Sequence, residues 1–257
     1  MKARIAVPVF PGTNSEEETL RMLLDCGGNA ELVHWSDVSG LAAYDAFVLS
    51  GGFAYEDRIR AGAIAAHDRV MDVVIEAARK GKLVFGVCNG AQILLEAGLV
   101  PGTGEIRRPT AAFTRNAPEP HFVCRHVHMK LAVPPERSAI TAALSEQALV
   151  PAWAAHAEGR LAAGGEHLEE IVDGGHLAFV YAHPDGSVDA AAVPNGSALG
   201  CAGLLNREGN VLAIMPHPER DGWDFNHLER RRHEDVLAPS GGSVLFESFV
   251  KALEVLG

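Results

Sequence analysis

The stretch that decides the fold is KLVFGVCNGAQILL, residues 82–95. Its first half is a run of apolar, β-forming residues, and its second half has the apolar spacing of a helix. A strand therefore runs directly into a helix, with Gly-x-Cys-x-Gly at the junction, as in a nucleophile elbow with cysteine in place of serine. Gly86 and Gly90 allow the tight turn that such an elbow needs. We expect the Cys88 side chain to project above the carboxyl end of the sheet, where α/β proteins bind ligands.

The segments around this stretch show the same alternation of strands and helices. Strands are predicted at Ile5–Val9, Glu31–Trp35, Ala46–Leu49 and Lys82–Val87, and helices from Ser15 to Cys26, from Ala61 to Lys80 and from Asn89 to Glu96. Ser15 and Glu18 have the spacing of a capping box at the start of the first helix. Alternating strands and helices indicate a parallel sheet with crossover helices.

The later half of the chain has a different character. The segments His121–Val133 and His176–Tyr181 alternate more clearly between apolar and polar residues, which is typical of antiparallel strands. Val211–Met215 is predicted as the last strand and Ser243–Leu256 as a closing amphipathic helix. We therefore expect residues 1–257 to form a single α/β domain, a flavodoxin-like three-layer sandwich with a mostly parallel central sheet and additional antiparallel strands.

One long segment near the end, residues 221–242, is predicted as neither strand nor helix. It contains the run Arg230-Arg231-Arg232-His233. Such a short run of charges is more often part of a solvated loop than a basic binding patch. We predict that this segment is a surface insertion.

Composition and charge exclude several function classes. Hydrophobic residues make up 47% of the 257 residues, a fraction sufficient for a sizeable core. Lys and Arg number 22 against 33 Asp and Glu, so the formal net charge is -11. Such an acidic chain is unsuited to nucleic acid or to an anionic membrane surface, because both require clustered cations. No apolar run approaches the ~18 residues of a membrane span, and none forms a signal peptide.

The cysteines and histidines indicate neither a disulfide framework nor a metal site. Cys26, Cys88, Cys124 and Cys201 lie far apart and form no C-x-x-C pair. The 12 histidines are scattered, without the His-x-x-x-His spacing of a helical metal site. We therefore expect reduced thiols, a cytoplasmic protein and no metal ion in this chain.

The sequence offers candidates for the other groups that a cysteine nucleophile needs, namely a base, a residue that orients the base, and oxyanion donors. His217 and Glu219 follow the last strand and point to the same side, because side chains repeat every two residues in an extended segment. Glu219 is therefore predicted to orient His217. Gly51 and Gly52 follow the third strand and, together with the backbone amide of Asn89, are candidates for an oxyanion hole.

Two motifs, Gly86-x-Cys88-x-Gly90-x-Gln92 and Pro216-His217-Pro218-Glu219, occur together in this chain. They resemble those of the triad-type glutamine amidotransferases, whose Cys, His and Glu release ammonia from glutamine. Further segments are similar, in order, to the family of glutaminase subunits of phosphoribosylformylglycinamidine synthase. These segments are Val9 to Asn14, Ser50 to Asp57, Arg60 to Ala65, Arg115-Asn116, His156 to Arg160, Pro194 to Ser197 and Pro216 to Arg220.

The resemblance implies a role for each matching residue of the site. Cys88 is implied to be the nucleophile that forms a thioester with glutamine. His217 is implied to be the base that later protonates the leaving ammonia, with Glu219 as its orienting residue. Gln92 is implied to help hold the glutamine substrate.

Three further residues, Asn116, His156 and Glu158, lie in segments that match the family. The triad does not need them. The resemblance implies that they structure the rim of the site or the interface with a synthetase; a plain surface role for His156 and Glu158 is the alternative.

The resemblance also implies partners and their cofactors. A separate synthetase subunit uses ATP and Mg²⁺ to activate the formamide oxygen of a formylglycinamide ribonucleotide, and a small third subunit commonly bridges the two. This chain has no G-x-x-x-x-G-K-[ST] loop. We therefore expect no cofactor in this chain, and ATP with Mg²⁺ in the partner.

The sequence departs from the family pattern at Glu56, where a glycine is expected, and at Val193, where an asparagine is expected. These loop changes leave open a paralogue that supplies ammonia to a different acceptor. A cysteine-dependent hydrolase of the intracellular-peptidase type is disfavoured, because Asn89 stands where that group has histidine directly after the cysteine. A purely regulatory or scaffolding subunit is disfavoured by the intact triad.

Overall fold

The computed structural model describes residues 2–227 and 235–256. These ranges contain five α-helices, α1 Glu16–Asp25, α2 Arg69–Arg79, α3 Asn89–Glu96, α4 Gly165–Asp173 and α5 Ser243–Leu256. The eleven strands of the same ranges are β1 Arg4–Val9, β2 Asn29–His34, β3 Ala46–Leu49, β4 Leu83–Val87, β5 Ala111–Thr114, β6 Val123–Leu131, β7 Leu149–His156, β8 Arg160–Ala163, β9 Leu177–Ala182, β10 Cys201–Leu205 and β11 Val211–Ile214. No helix within them is both long enough and apolar enough to cross a membrane.

Nine of the described strands form one sheet in the order β2-β1-β3-β4-β11-β10-β9-β6-β7. The first five run parallel, since β1 pairs in parallel with β2 and β3, and β4 pairs in parallel with β3 and β11. The pairs from β11 to β7 are antiparallel. Strands β5 and β8 form a separate antiparallel ribbon. The predicted α/β fold, a parallel sheet extended by antiparallel strands, is confirmed.

Phe85 and Gly86 show how helices cover both faces of the sheet. Because neighbouring residues of a strand point to opposite faces, these two residues of β4 report on its two sides. The Phe85 ring packs on Phe246 and Phe249 of α5, with ring centroids 5.4 and 5.9 Å apart. A side chain at Gly86 would instead meet Leu94 of α3. Helices α5 and α3 therefore lie on opposite faces, which gives three layers.

The centre of the sheet is buried along its whole length. Every residue of β3, β4, β10 and β11 is buried. Strands that are covered on both faces have such continuous apolar runs. Because β1, β3, β4 and β11 are parallel, their carboxyl ends meet at one edge, and the loops that follow them converge there.

The helix predicted from Ala61 to Lys80 is shorter than expected. Helix α2 begins at Arg69, and a short 3-10 turn at Ala65–His67 precedes it. Asp68 decides the boundary, because its side chain accepts a hydrogen bond from the Val70 amide at 2.9 Å and caps the helix.

The capping box predicted at Ser15 and Glu18 is wrong. Ser15 makes no side-chain capping hydrogen bond at the start of α1. Glu18 instead accepts a hydrogen bond from Nε of Arg220 at 2.8 Å. A contact with a residue distant in sequence has replaced the local one.

The sequence patterns missed four strands and one helix, namely β5, β7, β8, β10 and α4. Each of these strands contains alanine, and β8 and β5 have two alanines in four residues. Alanine is depleted in strands, and strand propensity reflects packing against neighbours more than an intrinsic backbone preference. Pairing within the folded sheet therefore decides these elements.

The predicted surface insertion, residues 221–242, begins inside the domain. Asp221, Trp223 and Asp224 are buried. The prediction of a surface position is wrong for these three residues, and the Asp221 carboxylate hydrogen-bonds His126 and His227. The run from Arg230 to His233 lies outside the described residues.

Candidate active site

Cys88 occupies a strained turn between β4 and α3. Its backbone has φ 52° and ψ -108°, and non-glycine residues rarely adopt a positive φ. Side chains at Gly86 and Gly90 would collide with the backbone of Gly90 and of Leu49, respectively. The two glycines therefore let α3 fold back closely on the strands. Strain of this kind persists only where packing enforces it, and it is common at reactive residues.

His217 and Glu219 lie directly after β11, next to Cys88. An antiparallel bridge holds the His217 backbone against Trp153 through two N–H to O bonds of 2.8 and 3.1 Å. Nδ1 of His217 lies 2.5 Å from Oε1 of Glu219, and His217 and Cys88 line the same cavity. His217 is 2% exposed and Glu219 is 0% exposed. The structure thus brings the three predicted triad residues together in a site shielded from water.

The charges around His217 decide its protonation. Burial of the ring opposes a positive charge, but the Glu219 carboxylate and the Cys88 thiolate outweigh burial and raise the pKa of His217 to about 10. At neutral pH the ring of His217 is therefore an imidazolium.

A second ion pair lies beside the triad, and sequence reasoning missed it. Carboxylate oxygens of Glu18 and Glu219 and a ring nitrogen of His217 all lie within 4.8 Å of one another. Burial and the Glu219 charge raise the pKa of Glu18, whereas the hydrogen bond from Arg220 opposes this rise. The positive charge of Arg220 thus compensates the negative charge of Glu18, the second carboxylate beside His217. The available signal was the position of Arg220 directly after the His-Pro-Glu motif.

Gly52 lines the same cavity as Cys88. The next N–H along the chain, that of Phe53, donates to the carbonyl of Gly12 at 2.9 Å. The N–H of Gly52 takes no part in this bond. Asn89 is the first residue of α3, and the first N–H groups of a helix have no partner within it. Both positions suit the predicted oxyanion donors.

Gly51→Ala is expected to lower the kcat of the reaction at Cys88 by about 10²-fold, because a misplacement of about 1 Å can cost that much. An added Cβ would lie 2.5 Å from Cε1 of His217, 2.9 Å from Oγ of Ser15 and 3.3 Å from Cβ of Cys88, so the ring must move. Steady-state kinetics and a thermal unfolding curve measure the effect. The matched control is Gly40→Ala, since a Cβ at Gly40 meets nothing within 4 Å. Unchanged kcat in the Gly51 variant would contradict this role.

Asn89 and Gln92 are joined through their side chains at the start of α3. Nδ2 of Asn89 donates to Oε1 of Gln92 at 2.9 Å and to Oδ1 of Asp57 at 3.1 Å, and its Oδ1 accepts from the Ala54 amide at 3.0 Å. Nε2 of Gln92 donates to the carbonyl of Glu158 at 2.5 Å. The two amides therefore brace the walls of the cavity. Gln92 lines the cavity, and its predicted contact with glutamine stays a prediction.

The predicted rim residues are not all at the surface. Asn116 and His156 are each 3% exposed, and their predicted role in structuring the rim or an interface stays a prediction. Nδ2 of Asn116 donates to the carbonyls of His121 and His156 at 2.9 Å, and its Oδ1 accepts from the Gly159 amide at 3.0 Å. Asn116 is buried because it satisfies these backbone groups, and it shapes the wall from inside. Glu158 lines the cavity with a side chain that is 25% exposed.

His156 lines the cavity as a neutral ring. Burial, together with the charge of His217, lowers the pKa of His156 to about 4. Its Nδ1 is buried and has no hydrogen-bond partner among the described residues. The ring therefore offers an unused nitrogen next to the triad.

The cavity above Cys88 has a volume of about 310 Å³ and carries charges of both signs. Asp57 and Glu158 contribute carboxylates, and Arg220 contributes a guanidinium group. Burial and the Glu158 charge raise the pKa of Asp57 to about 6, while the hydrogen bond from Asn89 opposes the rise. Asp57 lies in a segment that matches the family, yet sequence reasoning gave neither it nor Arg220 a role.

Comparison with known proteins identifies the family. The CobB/CobQ-like glutamine amidotransferase domain matches residues 2–251. The chain is 42% identical to the phosphoribosylformylglycinamidine synthase subunit PurQ of Pyrococcus furiosus over 222 residues, which are 86% of this chain and 91% of that protein. This chain belongs to the PurQ family of glutamine amidotransferases. The PurQ subunit of Symbiobacterium thermophilum is 38% identical over 250 residues, 97% of each chain. The enzyme family predicted from the motifs is confirmed.

Solved structures show the same fold. The structure of PurLQS from Thermotoga maritima matches with a TM-score of 0.76 and 28% identity, covering 98% of this chain and 100% of that chain. The glutaminase domain of Trypanosoma brucei CTPS, solved with bound acivicin, matches with a TM-score of 0.56 and 16% identity, covering 99% and 94%. Because its identity is only 16%, the similarity to the CTPS domain shows the fold alone. The PurQ fold predicted from the sequence is thus confirmed over nearly the whole chain.

Proposed function

We propose that this PurQ-family chain hydrolyses the side-chain amide of glutamine through a γ-glutamyl thioester on Cys88. The ammonia passes to a synthetase partner that makes formylglycinamidine ribonucleotide in purine biosynthesis. The observation that carries the proposal is that Cys88 shares one cavity with His217, whose ring Glu219 holds. The names of the PurQ relatives support the acceptor.

The first half of the reaction forms the thioester. The Cys88 thiolate attacks the amide carbon, and the carbonyl electron pair moves to oxygen. The N–H groups of Gly52 and Asn89 donate to this oxyanion, a stabilisation worth about 10²- to 10³-fold per donor. The oxyanion collapses, the carbon–nitrogen bond breaks, and His217 gives its proton to the departing nitrogen. Ammonia and a γ-glutamyl thioester result.

The second half regenerates the enzyme. His217, now neutral, removes a proton from water, and the resulting hydroxide attacks the thioester carbonyl. The carbon–sulfur bond breaks and Cys88 leaves as a thiolate beside the recharged imidazolium. The product is glutamate, and the ion pair is restored. Glu219 keeps the ring oriented and stabilises its charge throughout.

The charges of the cavity suit the other end of glutamine. The substrate carries an α-ammonium and an α-carboxylate group, which require partners of opposite sign. Asp57 and Glu158 supply negative charge, and Arg220 supplies positive charge. We assign these three residues to binding of the amino-acid moiety. Asp57 is half neutral near its raised pKa of about 6, so binding of the ammonium group weakens below that pH.

The proposal places ATP and Mg²⁺ on the synthetase partner and includes a small bridging subunit. The PurLQS assembly of T. maritima, to which this chain is similar, supports a complex. Reaction in the cytoplasm agrees with four cysteines that are all free thiols in the fold, because a cytosol keeps thiols reduced.

Reconstitution with a purified PurL-type synthetase tests the acceptor. Glutamine hydrolysis by the chain alone is expected to be slow, and to accelerate when synthetase, ATP and formylglycinamide ribonucleotide are present. A chain that is fast only in the complete complex does not waste glutamine. Formation of glutamate and amidine in equal amounts would be measured by chromatography. A fast free chain, or glutamate without amidine in the complete mixture, would count against this acceptor. The control reaction replaces glutamine by ammonium chloride.

A further inference from the structure

A cluster of metal-binding side chains lies outside the triad, where β6 meets the segment that follows Glu219. Nε2 of His126 lies 2.5 Å from Oδ2 of Asp221, and Nδ1 of His227 lies 2.6 Å from Oδ1 of the same carboxylate. The two nitrogens and one oxygen of the carboxylate all lie within 4.8 Å of one another. We propose that His126, Asp221 and His227 form a binding site for a divalent transition-metal ion, with Zn²⁺ as the best match.

The donor set suits this class of ion. Imidazole nitrogen and carboxylate oxygen are ordinary ligands of Zn²⁺, and two histidines with one carboxylate leave a position for water. Hard ions such as Mg²⁺ and Ca²⁺ prefer oxygen ligands. A site with two ring nitrogens and one carboxylate therefore favours zinc over either.

The geometry requires only a small adjustment. Ligands about 2.1 Å from a tetrahedral ion are about 3.4 Å apart. The two nitrogen–oxygen distances must therefore open by less than about 1 Å, as the ion replaces the protons that now join these groups. Asp221 is fully buried and the His126 side chain is 10% exposed, whereas the His227 side chain is 27% exposed. His227 is the ligand that can move.

The surroundings hold the ligands in place. Oγ of Ser240 lies 2.8 Å from Oδ1 of Asp221, and outer hydrogen bonds of this kind orient ligating carboxylates. The ring of His126 packs edge-on against Trp153 at 5.5 Å and against His227 at 6.2 Å. Rings with fixed planes direct their nitrogen atoms towards one point. His126 and Asp221, the two less mobile ligands, are therefore already arranged for binding before the ion arrives.

Solvent has a route to this part of the molecule. Trp153, which contacts His126, and Asn226, which precedes His227, line a cavity of about 390 Å³ together with Cys124, Ala155 and Arg220. A water molecule from this side can complete the coordination. An ion at this position would fasten the segment after Glu219 to β6, since His126 belongs to the strand and Asp221 to the segment.

Sequence reasoning predicted no metal because it searched for ligands with local spacing. His126 and His227 lie in different halves of the chain, and Asp221 falls in the segment predicted to be an insertion. The three side chains meet only because β6 joins the sheet beside β7, and the bridge from β7 to His217 brings the next residues alongside.

Titration of the full-length chain with Zn²⁺ against a chromophoric chelator tests the proposal. One equivalent of tight binding is expected. His126→Gln and His227→Gln should each weaken it by on the order of 100-fold, since even outer-shell changes cost about 10- to 100-fold. His183→Gln is the matched control, because His183 also contacts a carboxylate, Asp189, at 2.9 Å, but as a single histidine. The control should bind like the unaltered chain.

Co²⁺ distinguishes this site from the thiols. A cobalt complex with nitrogen and oxygen ligands gives visible bands without the near-ultraviolet charge-transfer band of a thiolate, which binding at Cys88 or Cys124 would produce. His227→Gln changes a partly exposed residue, so it should retain its unfolding temperature without metal, and the temperature rise with Zn²⁺ should disappear. Absence of tight binding, a thiolate band, or equal affinity in the His126, His227 and His183 variants would overturn the proposal.

Discussion

Replacing Cys88 by alanine is expected to lower glutamine-dependent turnover of the reconstituted complex by about 10⁴-fold or more, because removal of a nucleophile abolishes the covalent route. Ammonia-dependent synthesis should continue, since it bypasses the thioester. The chain should remain folded, because the change removes only one sulfur atom. The residues on both sides of Cys88 are buried and keep their packing. Steady-state rates with glutamine and with ammonium chloride measure the two activities separately.

Cys124→Ser is the matched control for this prediction. Cys124 is exposed and lines the adjoining cavity with Ala155 and Arg220, which also line the site cavity. It should therefore be as accessible as Cys88 without being reactive. Mass spectrometry after treatment with a diazo-ketone glutamine analogue should find the label on Cys88 and none on Cys124. Full glutamine-dependent activity in Cys88→Ala would refute the thioester mechanism.

Glu219→Gln is expected to reduce kcat for glutamine by about 10⁴-fold, the loss seen when the acid of a catalytic triad becomes its amide. The carboxylate now holds His217 at 2.5 Å and is the first of the two charges that keep its ring protonated. Without it, the pKa of His217 falls and less of the imidazolium acid is present at a given pH. Breaking the buried pair should also destabilise the fold by about 3 kcal/mol.

The pH dependence of stability has a definite sign. The pKa of His217 is raised from 6.5 to about 10, so its contribution to stability is complete below the ordinary value and is lost as pH rises through about 10. In Glu219→Gln this loss should occur at lower pH. Glu18→Gln is the control, because it removes a carboxylate within 4.8 Å of the same ring that pairs with Arg220 instead. Urea unfolding between pH 6 and about 10 measures both, and equal shifts in the two variants would contradict the assignment to Glu219.

The elbow and the triad were predictable from local sequence. A strand that runs into a helix through Gly86, Cys88 and Gly90 has one physical outcome, because only small residues permit that turn. His217 and Glu219 could be paired from their spacing alone. The parallel strands are likewise continuous apolar runs, which a sequence displays directly.

Other features of the site could not be predicted, because they depend on contacts between distant residues. Glu18 has the spacing of a capping residue, yet it pairs with Arg220. Asn116 and His156 are predicted to structure the rim or an interface, and no local pattern in the sequence indicates that both are buried. The contacts of Glu18 and Asn116 join residues far apart in the chain, so no local pattern indicates them.

The sequence by itself indicated the class of chemistry, since Cys88, His217 and Glu219 follow strands that a parallel sheet must bring to one edge. Only the tertiary structure decided the charges around that chemistry: the protonation of His217, the compensation of Glu18 by Arg220, and the meeting of His126 with Asp221 and His227. The physical reason is that electrostatic interactions depend on distance and burial, and neither quantity exists before the sheet has formed.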